Sequence, residues 1–419
     1  MAKKRGFLLR VGLLLTIMGP ALITSIVDND VGGVATYSLA GAQFGYGLLW
    51  TMLPLTILLF IIQEITTRLA LVTRKGLSDL IREQFGLKIA FWAMLSLFFA
   101  NFLLTITEFV GMVVAFEIFQ LPRLLFVPLL ACVLFFILIR GSYKRVEHTL
   151  LVVALLYITY VITGFLVKPD WLDVGKNIIV PSISWNPDYI GMVIAIIGTT
   201  ICPWMQFYQQ ASMVDKGLKK EDYGYSLVDV GVGSFVTNFV ATFIFIATAA
   251  AFFFVKKDFI NLTQAALALT PVAGQYAPTL FAVGLLATAS MAILVVPLST
   301  SYAITESFGF ERGVSKTFKE APIFYGILAF MIFAGVVISV LPNFPYLYFI
   351  YIAQIVNGML LPVTLILMLL LVNNKQLMGK HVNNLWFNVL AWGFSGAVVC
   401  LSLYLVFQPV IMRVFFGGA

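Results

Sequence analysis

Apolar runs of about 20 residues, separated by short polar connections, recur along the whole chain. A helix of that length crosses the hydrocarbon core of a bilayer, so each run predicts a membrane-spanning helix. The eleven runs lie near 11–43, 47–71, 89–118, 124–140, 148–167, 189–212, 225–255, 275–305, 322–341, 345–372 and 386–410. The connections are too short for a soluble domain. We therefore expect an all-α integral membrane protein, with one domain over residues 1–419.

Two of these runs are interrupted. In the first run, Asp28, Asn29 and Asp30 are followed by Gly32 and Gly33. A carboxylate in the middle of a bilayer costs several kcal/mol unless it meets a cation or water. Adjacent glycines loosen a helix and free backbone groups that lipid cannot satisfy. A helix break beside an acid therefore predicts a cation site on a discontinuous helix.

The sixth run contains the second break. Pro203 lies inside it, where proline removes one helical hydrogen bond and frees carbonyl groups one turn earlier. Four uninterrupted runs separate the two broken ones. This spacing predicts two five-helix repeats of opposite orientation with the site between them at the membrane midplane. The expected boundaries are about 11–167 for the first repeat, about 189–372 for the second and about 386–410 for an extra helix.

Composition and charge support a membrane protein and predict its orientation. The chain is 61% hydrophobic and 11% charged, whereas soluble domains carry about 25% charged residues. With a cytoplasmic N-terminus, 20 of the 26 Lys and Arg residues fall on the cytoplasmic side, which predicts an outside C-terminus. We expect a multi-pass protein of the inner (plasma) membrane. Its expected partners are the lipid bilayer and a substrate ion, with no nucleic acid and no obligate protein partner.

Several motifs resemble those of the Nramp divalent-metal transporters. In the first run the resembling motifs are Gly19-Pro20, Asp30-x-Gly32, Ala35-Thr36 and Ala40-Gly41-Ala42. Gly198-x-Thr200 with Pro203 is similar to the sixth-helix pattern Gly-Ala-Thr-Val-Met-Pro-His-Asn of that family. The third-helix pattern Ala-Glu-Phe-x-Gly and a tenth-helix glutamine are matched by Thr107-Glu108-Phe109-x-Gly111 and Gln354. The resemblance implies a LeuT-type 5+5 inverted repeat with discontinuous helices 1 and 6 and eleven transmembrane helices.

The departures from the Nramp pattern are equally informative. Asn after Asp-Pro-Gly is replaced by Gly33, the metal-ligating Met by Cys202, and the Ala before it by Thr199. The following His becomes Trp204 and the third-helix Asp becomes Thr105. This combination resembles the branch called Nramp-related magnesium transporters (NRMT). The resemblance implies uptake of Mg²⁺ and Mn²⁺ without proton coupling.

The chemistry of the replaced residues agrees with that expectation. A thioether helps to select transition metals over Mg²⁺, and its loss with that of Asn leaves a wider pocket. Because Mg²⁺ dehydrates reluctantly, such a pocket suits a largely hydrated ion. The two histidines, His148 and His381, are expected in cytoplasmic loops, so few titratable side chains remain within the membrane to relay protons. We expect a secondary transporter working by alternating access, for which a +2 ion gains about 4–5 kcal/mol per 100 mV.

The candidate metal-binding residues are Asp30, Gly33, Thr199 and Cys202. Asp30 is a carboxylate within a membrane span, which is functional by default, although it could also cap the broken helix. Gly33 either offers a carbonyl or allows close packing. For Thr199 and Cys202 only the resemblance suggests a place in the pocket, and packing is the alternative.

A second group of candidates lines a pathway or gate: Asp28, Asn29, Glu108, Trp204, Gln354 and Asn357. Asp28 either lines the aqueous route or caps the helix, and Asn29 either shapes the break or lines a vestibule. Glu108 is an intramembrane carboxyl group that could instead be protonated and hydrogen-bonded. Gln354 and Asn357 bind ion-bound water or hold helices together. Trp204 either forms part of a gate or packs between helices, and packing is the simpler interpretation.

Other functions compete with this prediction. The first alternative is a proton-coupled Mn²⁺/Fe²⁺ symporter. A less favoured one is an amino-acid carrier of the same fold, because two acidic residues in the break would repel the carboxylate of an amino acid. A metal-sensing receptor or channel is a further alternative. Neither a nucleotide-binding Gly-x-x-x-x-Gly-Lys-Ser/Thr loop nor a His-Glu-x-x-His motif occurs in the sequence. We therefore expect no enzymatic activity and no cofactor.

Overall fold

The computed structural model describes residues 17–140, 143–256 and 262–415, and every regular element within those ranges is helical. Ten of its helical segments are long and apolar enough to cross a membrane. Each overlaps one of the predicted runs from the second to the eleventh. The first run is broken into two short helices and is not among the ten. The all-helical fold is thus confirmed, while the total of eleven spans stays a prediction.

The first five spans contain seven helices and are followed by a short amphipathic one. Turns of 3₁₀ helix, Leu49–Thr51 and Leu155–Tyr157, precede the third and seventh helices. The helices are α1 (Pro20–Val27), α2 (Val31–Phe44), α3 (Met52–Thr73), α4 (Leu77–Ile118), α5 (Arg123–Arg140), α6 (Tyr143–Ala154), α7 (Ile158–Leu166) and α8 (Trp171–Ile179).

The rest of the chain begins with the second broken span. A π-helical segment, Ala249–Phe253, extends the eleventh helix, and 3₁₀ turns occupy Lys220–Asp222 and Gly379–His381. The helices are α9 (Pro187–Thr200), α10 (Pro203–Asp215), α11 (Tyr223–Thr248), α12 (Leu262–Ala268), α13 (Thr270–Ala273), α14 (Ala277–Phe308), α15 (Pro322–Ser339), α16 (Tyr346–Val372), α17 (Lys375–Met378) and α18 (Leu385–Phe415).

Local sequence explains both helix breaks. Asp30 has an extended backbone and caps α2, since its Oδ1 accepts a hydrogen bond from the Gly33 N–H at 2.7 Å. At the second break Cys202 is also extended, and Pro203 occupies the first turn of α10, where a missing N–H costs nothing. Both predicted discontinuous helices are therefore confirmed.

The broken helices form the centre of the bundle. The span Pro187–Asp215 is 94% buried over its most apolar stretch, whereas Arg123–Arg140 and Leu385–Tyr404 are each 22% buried. A polar break at membrane depth is tolerated where it is buried in protein or lines a water-filled cavity, which spares its backbone groups from contact with lipid. The peripheral helices α5 and α18 therefore face the bilayer, and the two breaks face each other.

Three details differ from, or add to, the sequence prediction. Helix α4 begins at Leu77, well before the predicted run 89–118, and bends at Gly86, whose φ is +82°. The charged segment before the bend is an amphipathic helix that buries Leu80, so hydropathy alone placed it in a loop. His148 lies within helix α6 and not in a loop, which corrects that expectation. Glu64 and Arg68, four residues apart on α3, form an ion pair at 3.0 Å.

Candidate functional site

The first break holds carboxylate oxygens that the protein leaves without donors. Asp28, Asn29 and Asp30 are at most 1% exposed. Both oxygens of Asp28 and Oδ2 of Asp30 have no hydrogen-bond partner within the described residues. Asn29 instead donates to the Thr237 carbonyl of α11 at 2.8 Å. Because buried polar atoms are nearly always hydrogen-bonded, these carboxylate oxygens are candidate ligands for an ion or its water molecules.

The second break offers a hydroxyl group and an engaged thiol. Thr199 is fully buried, and its Oγ1 has no partner in the described part of the chain. The Cys202 thiol is near the Asp28 carboxyl group but donates to the Gly198 carbonyl at 3.0 Å. The Cys202 N–H donates to the sulfur of Met205 at 3.3 Å. The two sulfur atoms near this break are therefore both occupied by contacts within α9 and α10.

The two breaks touch at Gly33. A Cβ atom at this position would lie 3.0 Å from the Asp28 carbonyl oxygen and 3.1 Å from Thr199 Oγ1. Close by, the hydroxyl groups of Tyr37 and Thr200 are hydrogen-bonded at 2.8 Å and tie α2 to α9. Only glycine allows this approach without displacing a neighbour, so Gly33 sets the distance between the broken helices.

Helices α4 and α16 close the site on two further sides. Glu108 of α4 accepts a hydrogen bond from the Val31 N–H at 3.1 Å. Gln354 of α16 lies over Gly32, since a Cβ there would fall 1.7 Å from its Nε2 and 3.1 Å from Asp30 Oδ1. Glu108 Oε1 and both amide atoms of Gln354 find no partner among residues that the structure describes.

The structure brings most of the predicted residues together, while their assigned roles stay predictions. The contacts link Asp28, Asp30, Gly33, Thr199, Glu108 and Gln354, and the Cys202 thiol also lies 3.5 Å from the Thr199 carbonyl oxygen. Asn357 is buried one turn after Gln354 on α16. Trp204 is buried toward α14, where its carbonyl accepts a hydrogen bond from Ser299 at 2.9 Å.

Electrostatics favour a cation at this place. The carboxyl groups of Asp28 and Glu108 each interact with that of Asp30 inside the bundle. Like charges buried together disfavour one another's ionised forms, so a positive ion or protons must compensate. Among the described residues, no three His, Cys, Asp or Glu side chains converge closely enough to enclose a bare ion. The carboxyl groups therefore lie around the site without enclosing a bare ion.

The site is closed in this conformation. All ten candidate residues are buried. On the side where α2 ends and α9 begins, a cavity of about 590 Å³ is lined by polar residues that include Gln43, Asn186 and Asp188. A narrow space next to it shares Leu39 and Tyr351 and reaches Thr36 of α2. Leu39 and Tyr351 therefore lie between the polar cavity and the part of α2 around Thr36.

Sequence reasoning missed Asp229, which anchors the first broken helix. Its carboxylate accepts backbone hydrogen bonds at the start of α1 from Gly19 (3.1 Å), Ala21 (2.9 Å) and Leu22 (3.2 Å). The available signal was an acid inside the apolar run 225–255. Its partners lie some 200 residues away in sequence, so no local pattern indicates them.

A second anchor holds the same end of α1. The Lys216 ammonium donates to the Met18 carbonyl at 2.9 Å and to Glu147 at 2.7 Å. These bonds connect the start of α1 with α6 and with the end of α10. Hydrogen bonds that involve α6, the end of α10 and α11 therefore hold α1, the short helix beside the predicted site, in place.

Comparisons with known proteins assign the family. The family model described as natural resistance-associated macrophage protein-like (Nramp) matches residues 21–408. The divalent metal cation transporter MntH of Klebsiella pneumoniae subsp. pneumoniae is 25% identical over 410 residues, which cover 94% of both chains. The MntH protein of Yersinia enterocolitica is 26% identical over 407 residues, covering 94% of this chain and 95% of its own.

Solved structures agree on the fold. A mutant of the Eremococcus coleocola manganese transporter superposes with a TM-score of 0.77 at 19% identity, covering 97% of this chain and 89% of its own. MhsT in complex with L-phenylalanine gives a TM-score of 0.57 at 14% identity, covering 95% and 98%. These likenesses establish the LeuT-type fold alone. The family match over residues 21–408 places this chain in the Nramp family.

Proposed function

We propose that this protein is a secondary transporter that takes up Mg²⁺ and Mn²⁺ by alternating access. The observation that carries the proposal is the group of buried carboxyl oxygens on Asp28, Asp30 and Glu108 that have no donor in the described structure. A buried acid without a partner in the membrane marks an ion pathway. The names of the MntH relatives, divalent metal cation transporters, support the same class of substrate.

We further propose that the ion crosses largely hydrated, as the resemblance to the NRMT branch implies. Gly33, Thr199 and Cys202 replace the Asn, Ala and Met of the Nramp pattern, and the thioether of Met205 is engaged by the Cys202 N–H. Soft sulfur ligation, which favours transition metals, is therefore unsupported here. Mg²⁺ usually keeps several waters and binds through one or two carboxylates.

Proton coupling has little support in this arrangement. His148 is exposed on α6, far along the chain from the breaks, and Trp204 and Thr105 stand where the Nramp pattern has His and Asp. The alternative, a proton-coupled Mn²⁺/Fe²⁺ symporter, is favoured by one feature: Glu108 is a titratable group close to Asp30. Its carboxyl group accepts a hydrogen bond from the Val31 N–H, next to Asp30 in the chain. An amino-acid carrier is disfavoured because two acids occupy the break that would receive a carboxylate.

The remaining features of the proposal follow from topology. We propose a plasma-membrane protein of eleven spans with a cytoplasmic N-terminus and an outside C-terminus. Its repeats would span about 11–167 and 189–372, with an extra helix at about 386–410. Its partners would be the divalent ion and the bilayer, and transport would need neither a cofactor nor enzymatic chemistry.

Reconstitution in liposomes tests this function. The purified chain is supplied with Mg²⁺, Mn²⁺ or Ca²⁺ under a fixed membrane potential while internal pH is recorded. We expect saturable, potential-driven uptake of Mg²⁺ and Mn²⁺ without acidification of the lumen. Acidification that accompanies metal uptake would support the symporter instead, and non-saturating flux would indicate a channel. Absence of divalent-ion flux would overturn the proposal.

A further inference from the structure

Three buried hydroxyl groups lie within four residues at the start of α7. Tyr157, Thr159 and Tyr160 are 3%, 7% and 2% exposed. The Tyr157 and Thr159 hydroxyl groups have no hydrogen-bond partner in the part of the chain that the structure describes, and the Tyr160 phenol lies near Thr288. Hydroxyl groups are nearly always satisfied when buried, by protein or by a ligand. Packing alone therefore does not account for three of them in one place.

The local backbone explains why these side chains share one face. Tyr157 ends the 3₁₀ turn Leu155–Tyr157 that connects α6 to α7, and Tyr160 follows in the first turn of α7; residues three apart lie on the same helix face. Accordingly the rings of Tyr157 and Tyr160 stack, with centroids 6.2 Å apart and planes inclined by 25°. The turn thus presents two phenol groups side by side.

Helix α14 confines the cluster from the opposite side. A Cβ atom at Gly284 would lie 2.7 Å from Tyr160 Cζ and 2.8 Å from Thr159 Oγ1, so a side chain there would displace the hydroxyl groups. Thr288, one turn further along α14, is near the Tyr160 phenol but donates its own proton to the Leu285 carbonyl at 2.9 Å. The three hydroxyl groups are therefore held in position with hydrogen-bonding capacity to spare.

The carboxyl groups of the cation site lie close enough to this cluster to interact with its phenol groups. The Tyr157 phenol interacts electrostatically with Asp28, Asp30 and Glu108, and the Tyr160 phenol interacts with Glu108. A hydrated ion is considerably larger than a bare one, because its coordinated waters extend its reach. Hydroxyl groups that lie near the carboxyl groups without ligating the metal are thus placed to bind the waters around it.

We propose that Tyr157, Thr159 and Tyr160 form the water-binding half of the cation site. Their hydroxyl oxygens accept hydrogen bonds from waters coordinated to Mg²⁺, while Asp28, Asp30 and Glu108 supply the negative charge. Neutral hydroxyl groups bind coordinated water without competing for the metal, which suits an ion that dehydrates reluctantly. This inference rests on the proposed function and identifies the residues that select the hydrated form of the ion.

Hexaamminecobalt(III) is the probe for this test. Its ammine ligands do not exchange, and they present N–H donors where hydrated Mg²⁺ presents water. The full chain in liposomes is compared with Tyr157→Phe, Tyr160→Phe and the double variant, which keep the stacked rings. Each lost hydrogen bond should raise both the KM for Mg²⁺ and the inhibitory concentration of the probe about two- to tenfold. The double variant should show the larger shift.

Matched variants separate this inference from the proposed function. Tyr325→Phe removes a buried phenol hydroxyl that donates to the Lys316 carbonyl at 2.7 Å, away from the site, and should leave inhibition unchanged. A double variant of Tyr157 and Tyr160 with wild-type KM and wild-type inhibition would overturn the inference. Wild-type uptake by Asp30→Ala would instead overturn the cation site itself.

Discussion

Asp28 and Asp229 are both buried aspartates within membrane-spanning segments, yet their surroundings are opposite. Asp229 receives three backbone N–H groups at the start of α1, whereas neither oxygen of Asp28 has a partner within the described structure. A buried carboxylate that is fully hydrogen-bonded stabilises the fold, and one left without donors destabilises it unless a ligand binds. Because their burial is the same, only their hydrogen-bond donors distinguish the two residues, and on that basis we propose that Asp229 anchors α1 and that Asp28 faces the ion.

The largest expected effect comes from the carboxylate of Asp30. Asp30→Asn should keep the cap on Gly33 N–H but lose the charge, reducing Mg²⁺ uptake at least about 30-fold, since truncating a buried charged partner costs about 2–5 kcal/mol. Uptake of Mg²⁺ into liposomes measures this change. Asp30→Ala should be equally inactive and less stable by about 1 kcal/mol because it also removes the cap. Wild-type flux in Asp30→Asn would contradict the charge requirement.

The next effect concerns stability. Asp229→Ala should lower the free energy of unfolding by about 2–4 kcal/mol, because three buried N–H groups lose their acceptor. Thermal unfolding of the purified protein in detergent, without metal, measures the loss. Asp229→Asn is the matched variant and should be less harmful, since an amide oxygen still accepts. An unchanged midpoint for Asp229→Ala would show that these bonds do not hold α1.

Substitution of Asp28 should change the free energy of unfolding in the opposite direction. Asp28→Asn removes a buried carboxyl group that lies beside Asp30 and has no hydrogen-bond partner in the described structure, so metal-free protein should gain up to about 1 kcal/mol in unfolding free energy. The same variant should transport Mg²⁺ several-fold more slowly. Thermal unfolding with and without Mg²⁺ tests both statements, because stabilisation by added Mg²⁺ should shrink in the variant. A destabilised metal-free Asp28→Asn would remove the contrast with Asp229.

The smallest effect concerns metal preference. Cys202→Met should raise the preference for Mn²⁺ over Mg²⁺ about fivefold, equivalent to about 1 kcal/mol, by supplying a thioether at the break. Competition between the two ions for uptake measures it. Gly33→Asn is a less clean test, since any Cβ there lies 3.0 Å from the Asp28 carbonyl oxygen. Gly33→Ala is the control for that strain, and an unchanged ratio in Cys202→Met would argue against a ligand position.

The sequence predicted what depends on local pattern. Both breaks lie where a polar group or proline interrupts an apolar run, and Asp30, Gly33 and Thr199 are in contact as the arrangement of two broken helices requires. Gln354 was placed only through the family resemblance. Its position over Gly32 depends on how α16 packs, which hydropathy does not encode.

What the sequence did not predict depends on distant packing. Tyr157, Thr159 and Tyr160 look like ordinary residues of an apolar span, and only their lack of partners in the described structure distinguishes them. Asp229 was visible as an acid in an apolar run, but its role follows from donors at residues 19–22. Residue type alone therefore cannot separate an anchoring acid from an ion-binding one.

Anomalous diffraction from crystals grown with Mn²⁺ tests the central claim most directly. We predict one strong peak between the α1–α2 break and the α9–α10 break, beside Asp30 and Asp28, with water molecules completing its coordination. The peak should vanish in Asp30→Asn and persist in Asp229→Asn. A Mn²⁺ peak that remains in Asp30→Asn, or a bundle centre without one, would contradict the claim that these unpartnered carboxylates bind the ion.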